Sequence, residues 1–218
     1  MKIITLLTTF IFTVGFLFSQ ELTLKYEISM QSDDPQIQSQ LGMMQGSTLQ
    51  VFTKDNKSRT EMSMGGLMTT TTILDSDAKK GVLLMDGMLG KQGATFEDKE
   101  ETEENEDFEY EVELINETKE ILGHTCKKAV IYTEEDMELI YWYTEDFDVK
   151  AGSLGKYVKD NVPGLALEFS VEQPQMTMTF TATEFKEKVK ETKGMFDLEI
   201  PEGYTEKSFE EIQGMSGQ

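Results

Sequence analysis

The sequence predicts a mostly β protein, in which an antiparallel sheet carries a few short helices. Apolar and polar residues alternate with period two along many segments, which is typical of strands with one face in solvent. Turn signals such as KDNK, SDAKKG, TEED and NVPG separate these segments. Only two short segments have helical spacing, and neither is long enough to be stable without packing on the sheet.

The alternation predicts ten strands. LTLKYEISM places five apolar side chains, from Leu22 to Met30, on one face. GLALEFSVE repeats this pattern, and MTMTFTATEF sets Met176, Met178 and Phe180 against a row of threonines. The other predicted strands cover residues 48–53, 58–64, 69–74, 81–85, 110–115, 126–133 and 139–144.

Two helices are predicted. In DPQIQSQLGMMQG, Asp34 precedes Pro35, which is a favourable helix opening, and apolar residues from Ile37 to Met44 then follow on one stripe. In SLGKYVKD, Ser153 is the expected cap. We expect the tail EKSFEEIQGMSGQ to pack through Phe209 and Ile212.

The first 19 residues predict a signal peptide. Lys2 precedes an uncharged, mostly apolar run to Phe18, which is shorter than the roughly 20 residues of a membrane-spanning helix. Cleavage near Ser19 would leave a periplasmic or secreted protein with one β-rich domain over residues 20–218. No cysteine follows the run to carry a lipid, and a single cysteine cannot form an internal disulfide.

The charge points away from nucleic acid. The formal net charge is -21, and such a chain is repelled by nucleic acid and by anionic lipid surfaces. EDKEETEENED, residues 97–107, is too acidic to bury and predicts a mobile loop within the single domain. This acidic surface suggests one alternative function, a module that binds a basic protein partner in the cell envelope.

The only histidine and the only cysteine stand two residues apart, at His124 and Cys126. Zinc needs three or four ligands, and two further cysteines or histidines are lacking. A cysteine nucleophile needs an oriented base, and nothing in the sequence marks the orienting group. We therefore predict a turn histidine and a buried strand cysteine, with no catalytic residues, no metal and no cofactor.

Methionine pairs suggest a second alternative. Met62 and Met64, and likewise Met176 and Met178, are spaced to share a strand face, as a soft Cu(I) site requires. Methionine is also a flexible filler of adaptable apolar surfaces. The copper interpretation is therefore kept as the weaker alternative.

The segment ELIYWYTED is apolar on both faces. It places Ile140 and Trp142 on one side and Tyr141 on the other, so the strand is either covered twice or lines a cavity. SMGGLM brings Met64, Leu67 and Met68 next to two glycines. The predicted ligand-binding residues are Ile140 and Trp142 in a groove, with Met64, Leu67 and Met68 near its mouth.

One stretch carries a family resemblance. KEILGHTCKKAVIYTEEDMELIYWYTEDF, followed by VPGLALEF, resembles exported proteins of the domain of unknown function 4412 family and is similar to GLPGLI-type proteins. The matching positions are Ile121, Gly123, His124, Cys126, Lys128, Ala129, Trp142, Tyr143, Thr144, Pro163, Gly164 and Leu165.

The resemblance implies a fold more than an activity. It implies a LolA- or LolB-like half-barrel, a curved antiparallel sheet with short helices on its concave side, and assigns no catalytic residue. By analogy it suggests a lipid or acyl-chain ligand. The predicted function is therefore a non-catalytic exported protein that binds a lipid or acyl chain in an apolar groove, without stable membrane insertion.

Overall fold

The structure is a computed structural model that describes residues 21–88, 90–97, 110–133, 138–147, 162–173 and 175–216. Within these ranges one curved sheet of twelve strands dominates, accompanied by two short α-helices. The strands are β1 (Leu22–Gln31), β2 (Thr48–Lys54), β3 (Lys57–Met64), β4 (Met68–Asp75), β5 (Lys80–Gly87), β6 (Gly90–Glu97), β7 (Tyr110–Ile121), β8 (His124–Thr133), β9 (Glu138–Thr144), β10 (Leu165–Gln173), β11 (Met176–Lys186) and β12 (Thr205–Glu206). The helices are α1 (Pro35–Leu41), which a 3-10 turn (Gly42–Met44) extends, and α2 (Phe209–Ser216).

The sheet consists of two meanders that meet in the middle. Its strand order is β12-β6-β5-β4-β3-β2-β1-β11-β10-β9-β8-β7. We call β1–β6 with β12 the first wing, β7–β11 the second wing, and the pairing of β1 with β11 the seam. Neighbouring strands are antiparallel except β12, which pairs parallel with β6. Most connections within the meanders are short, which suits the closely spaced turn signals of the sequence. The exceptions are residues 32–47, which join β1 to β2, and residues 145–164, which join β9 to β10.

One face of the sheet carries the largest part of the core, and we call it the core face. Across the seam, Tyr26 lies beside Phe169 with ring centroids 5.5 Å apart, and Phe169 stacks on Phe180 at 4.3 Å. Tyr141 stacks on the same ring at 6.0 Å. Residues directly opposite in antiparallel strands point to the same face, and Phe169 is opposite both Phe180 and Tyr141. This register fixes the core face across both wings.

Both helices lie against the core face. The Asp34 carboxylate accepts hydrogen bonds from the backbone N–H groups of Gln36 and Ile37, which caps α1 as the sequence predicts. The buried side chains of α1 join the cluster around the seam. In α2, the ring centroid of Phe209 lies 4.6 Å from that of Phe96 of β6, and Ile212 is fully buried against β5 and β6.

A long irregular segment, residues 187–204, crosses the opposite face of the first wing with turns at 193–196 and 202–203, and we call it the strap. Thr23 donates a hydrogen bond to the carbonyl oxygen of Lys188 at 2.8 Å, and Arg59 donates one to that of Met195 at 3.1 Å. A Cβ atom at Gly93 would lie 2.8 Å from Ile200, so glycine at this position lets the strap approach the sheet. The first wing is therefore packed on both faces.

The structure confirms the predicted fold class and α1. Each of the ten predicted strands has a counterpart, and β7 extends beyond the prediction to Ile121. Strands β6 and β12 are not predicted from the sequence. The predicted helix at 153–160 lies outside the described residues, as do the signal peptide and the acidic loop beyond Glu97. No helix in the described ranges is both long and apolar enough to cross a membrane.

Candidate functional site

Seven methionines in the described strands point to the core face. Each one is directly opposite, or two residues from, a residue that the strand register places there. They are Met30, Met62, Met64, Met68, Met85, Met176 and Met178, seven of the 14 in the chain. Four of them, Met62, Met64, Met68 and Met85, occupy the adjacent strands β3, β4 and β5, and we call this group the methionine face.

The methionine face also carries hydroxyl groups. Thr60 and Thr72 are directly opposite each other on β3 and β4, and Thr70 is opposite Met62 on one side and Met85 on the other. Thr60 and Thr70 are buried, whereas Thr72 is partly exposed. Unbranched thioether side chains next to a few hydroxyls form an adaptable apolar surface with polar anchoring points.

The predicted mouth residues lie together at one end of this face. Met64 and Met68 are directly opposite each other on β3 and β4, and Leu67 lies in the tight turn between them. Gly65 and Gly66 in this turn both have positive φ values, 56° and 75°, which glycine adopts without strain. Met64 is buried, Met68 is partly exposed, and Leu67 is exposed. The structure therefore brings these three predicted residues together.

Trp142 and Ile140 lie elsewhere. Tyr141 points to the core face, so its neighbours on β9 point to the opposite face. There the Lys119 ammonium lies 4.5 Å from the centroid of the Trp142 ring, and that of Lys128 lies 5.7 Å from it. Lys119 also forms an ion pair with Glu168. Cation–π contacts thus hold one side of the indole ring, while Trp142 is also partly buried against the hydrophobic core.

The five predicted ligand-binding residues do not line one groove. Strands β3 and β9 are five strand spacings apart, roughly 24 Å measured along the sheet. The two groups also point to opposite faces. Met64, Leu67 and Met68 remain candidates together with Met62 and Met85, while Ile140 and Trp142 belong to a separate surface. Met85 is not among the ligand-binding residues predicted from the sequence, because its position on the core face depends on its pairing with Thr70.

His124 and Cys126 do not form a nucleophile–base pair. The Cys126 thiol donates a hydrogen bond to the backbone carbonyl oxygen of His124 at 3.7 Å. The His124 Nδ1 atom lies 2.7 Å from the carboxylate of Asp146. Burial raises the pKa of the Cys126 thiol to about 11, although nearby Lys119 opposes the shift. At neutral pH the thiol is protonated and buried, which is the opposite of what a cysteine nucleophile needs.

The thioether pairs considered for copper do not converge. Met62 and Met64 lie on β3, and Met176 and Met178 lie on β11, three strand spacings or roughly 14 Å away along the sheet. One ion cannot bridge that separation. Within the described parts of the chain, no group of three or more His, Cys, Asp or Glu side chains is arranged to hold a metal ion.

Comparison with known proteins places part of the chain near a domain of a larger protein. A family model described as the N-terminal domain of N-glycanase peptide matches residues 92–199. No protein with a curated function matches the sequence. The resemblance to the domain of unknown function 4412 family stays a prediction.

Solved structures show distant similarity. PNGF-II in its P21 crystal form is 16% identical with a TM-score of 0.49, and in its C2 form 18% identical with a TM-score of 0.47. Each match covers 90% of this chain, which spans about one third of the PNGF-II chain, 33% and 32% respectively. The lipoprotein LppX of Mycobacterium tuberculosis is 8% identical with a TM-score of 0.39, and the match covers 85% of this chain and 93% of LppX.

Proposed function

We propose that this chain is a non-catalytic exported protein that holds the acyl chain of a lipid on the methionine face. The observation that carries the proposal is the concentration of methionine on one face of three adjacent strands, Met62, Met64, Met68 and Met85. A core packed only for stability is better served by branched side chains with well-defined rotamers. Flexible thioethers repack around apolar ligands of different shape.

The expected energetics are sufficient for useful binding. Burying a methylene group contributes about 0.8 kcal/mol, so ten methylenes of an acyl chain contribute about 8 kcal/mol before the costs of ordering. The hydroxyls of Thr60, Thr70 and Thr72 would orient the polar end of the ligand or a bound water. Such a surface favours a class of ligands over a single molecule, because its few polar groups are all alike.

The experiment is a fluorescence titration with cis-parinaric acid, a fatty acid that fluoresces when it enters an apolar site. The test variant combines Met64→Gln with Met68→Gln, which keeps side-chain length and adds polarity on the methionine face. The matched control combines Ile140→Gln with Trp142→Gln on the opposite face. We expect the test variant to bind at least about tenfold more weakly and the control to change by less than about twofold.

Two results would contradict the proposal. Loss of binding in the control variant alone would place the ligand beside Trp142, as one part of the sequence prediction has it. A wild-type protein that refuses the fatty acid would remove the acyl-chain site altogether. Circular dichroism and urea unfolding of both variants show whether lost binding reflects lost folding.

A second candidate function rests on β7, the outermost strand of the second wing. Among the described residues its outer edge pairs with no other strand, and Leu114 on it is exposed. Glu111 and Glu113 give this edge a negative charge, whereas Glu117 forms an ion pair with Lys128. An extended segment rich in lysine could add to such an edge by backbone hydrogen bonding. Binding of a lysine–valine peptide by a protein that refuses cis-parinaric acid would favour this interaction module.

A further inference from the structure

Three turns at one end of the first wing expose large apolar side chains. They are the 3-10 turn Gly42–Met44, the β3–β4 turn at residues 65–67, and the β5–β6 turn around Met88. The exposed fractions are 63% for Met43, 40% for Leu67 and 89% for Met88. A soluble surface seldom places several such side chains together without a use for them.

The β3–β4 turn lies against both of the other turns. A Cβ atom at Gly65 would collide with the carbonyl oxygen of Met43, so the 3-10 turn lies directly against the β3–β4 turn. A Cβ atom at Gly87 would lie 3.2 Å from the carbonyl oxygen of Leu67, so the β5–β6 turn lies directly beside it on the other side. Met43, Leu67 and Met88 therefore belong to one continuous strip, which we call the apolar rim.

The charge distribution distinguishes the apolar rim from the other end of the same wing. The sequences of its turns, GMM, GGL and GM, contain no charged residue. The β2–β3 and β4–β5 turns, at the opposite ends of the same strands, are KDNK and DSDAKK. Behind the rim, Asp86 and Lys91 neutralise each other in an ion pair of 3.0 Å. In a chain of net charge -21, the turns of the rim are thus uncharged and apolar, while Asp33 and Asp34 begin the same connection between β1 and β2.

We propose that the apolar rim dips into the interfacial layer of a neutral, zwitterionic lipid bilayer. This inference rests on the proposed function, because Met64 and Met68 of the methionine face stand directly behind Leu67. An acyl chain leaving the bilayer at the rim would meet the methionine face without crossing water. Peripheral contact of this kind scales with the apolar area buried in the interface and needs no spanning segment.

Other occupants fit the rim less well. A second copy would bring another charge of -21 to the contact, and repulsion opposes such a pairing. A protein partner needs about 800 Å² on each side and polar groups that fix its orientation, whereas three turn tips offer neither. An anionic membrane surface is disfavoured by the same net charge, so the expected surface is zwitterionic.

The test is flotation of residues 20–218, the chain without its predicted signal peptide, with phosphatidylcholine vesicles on a density gradient. The rim variant combines Met43→Ser, Leu67→Ser and Met88→Ser, all at exposed positions where folding is tolerant. The matched control combines Leu122→Ser and Tyr132→Ser, which are 44% and 37% exposed on the second wing. We expect the rim variant to partition at least about tenfold more weakly and the control to float like the wild type.

Each result decides between explanations. Equal flotation of the rim variant and the wild type, or no flotation of the wild type, would overturn the rim. A vesicle-free dimer of the wild type that the rim variant lacks would also overturn it, in favour of a second copy. Titration of the wild type with cis-parinaric acid separates the two proposals, because the rim variant also changes Leu67, a candidate residue of the fatty-acid site. If the wild type binds the fatty acid but does not float, only the proposed membrane contact of the rim is wrong. If it floats but does not bind the fatty acid, the membrane contact is supported and the acyl-chain site on the methionine face is wrong.

Discussion

The two wings of the sheet fill most of the same face with different chemistry, although Met30, Met176 and Met178 also lie on this face at the seam. At the seam and in the second wing, aromatic rings from four adjacent strands pack on one another, with Phe169 in contact with Tyr26, Phe180 and Tyr141. On β3 to β5 of the first wing, methionines and threonines occupy the equivalent positions. The strands pair without a break from one region to the other, with a register shift between Lys25 and Tyr26 at the seam. The main difference between the two regions is therefore in their side chains.

This difference separates stability from adaptability. Stacked and edge-on rings hold a single geometry because each has few rotatable bonds and an oriented charge distribution. The Tyr26 hydroxyl strengthens this region, since it donates a buried hydrogen bond to the carbonyl oxygen of Ala166 at 2.7 Å. Methionine has three rotatable side-chain bonds and fills irregular space without fixing its shape. We therefore expect the seam to hold the fold and the first wing to accommodate a ligand.

The largest expected effect comes from introducing leucine at one buried position in each region. Phe169→Leu removes contacts with three rings, each worth roughly 0.5–1.5 kcal/mol, so the free energy of unfolding should fall by roughly 1.5–4.5 kcal/mol. Met62→Leu, at an equally buried position of the methionine face, should cost less than about 1.5 kcal/mol. Urea unfolding measures both values. Equal losses would mean that the two regions are packed alike.

A smaller effect is expected at the turn behind the apolar rim. Gly65 and Gly66 both have positive φ values, but only at Gly65 would a Cβ atom collide with the backbone of the neighbouring 3-10 turn. Gly66→Ala should cost about 1–2 kcal/mol for the left-handed conformation alone. Gly65→Ala should cost a further 1–3 kcal/mol or so because the 3-10 turn has to move.

This pair of variants also tests the arrangement of the rim. Urea unfolding gives the two costs, and flotation with phosphatidylcholine vesicles shows whether displacing Met43 from Leu67 weakens membrane contact. The Gly66→Ala variant is the internal control, since it strains the same turn without moving its neighbour. Identical behaviour of the two variants would argue against direct packing of these turns.

The sequence predicts most strands because a period of two reports directly that one face of a strand is buried. The prediction fails at β6, GKQGATFE. Glycine occupies positions of this strand where an apolar side chain would usually reveal the alternating pattern. Gly93 leaves room for Ile200 of the strap, and Gly81 on the neighbouring strand leaves room for the ring of Phe96. The apolar groups that complete this part of the fold come from other elements, so the local pattern does not contain them.

The candidate site shows a different limit of sequence reasoning. Alternation alone correctly separates Trp142 from Tyr141, but it does not say which of the two faces is the core face. That assignment depends on Tyr141 being opposite Phe169, a pairing between strands joined by a long connection. Within the β3–β4 hairpin the pairing is local, and Met64, Leu67 and Met68 lie together for that reason.

The smallest effect expected at neutral pH concerns the single thiol, which reports on the second wing alone. The pKa of Cys126 is raised from 9.0 to about 11 by burial. Between these values the folded protein keeps the proton while the unfolded chain releases it, so the free energy of unfolding falls as the pH rises. The stabilising contribution of the buried thiol is complete below about pH 9 and lost by about pH 11.

Cys126→Ser isolates this contribution, because serine keeps a donor for the carbonyl oxygen of His124 and does not ionise in this range. Lysines and tyrosines also titrate at alkaline pH, but they do so in both proteins. Urea unfolding from about pH 8 to about pH 11 should therefore show a steeper loss of stability for the wild type than for the variant. Equal losses of stability in both proteins would mean that the thiol is open to solvent. The second wing would then be packed less tightly around Cys126 than around the aromatic rings at the seam.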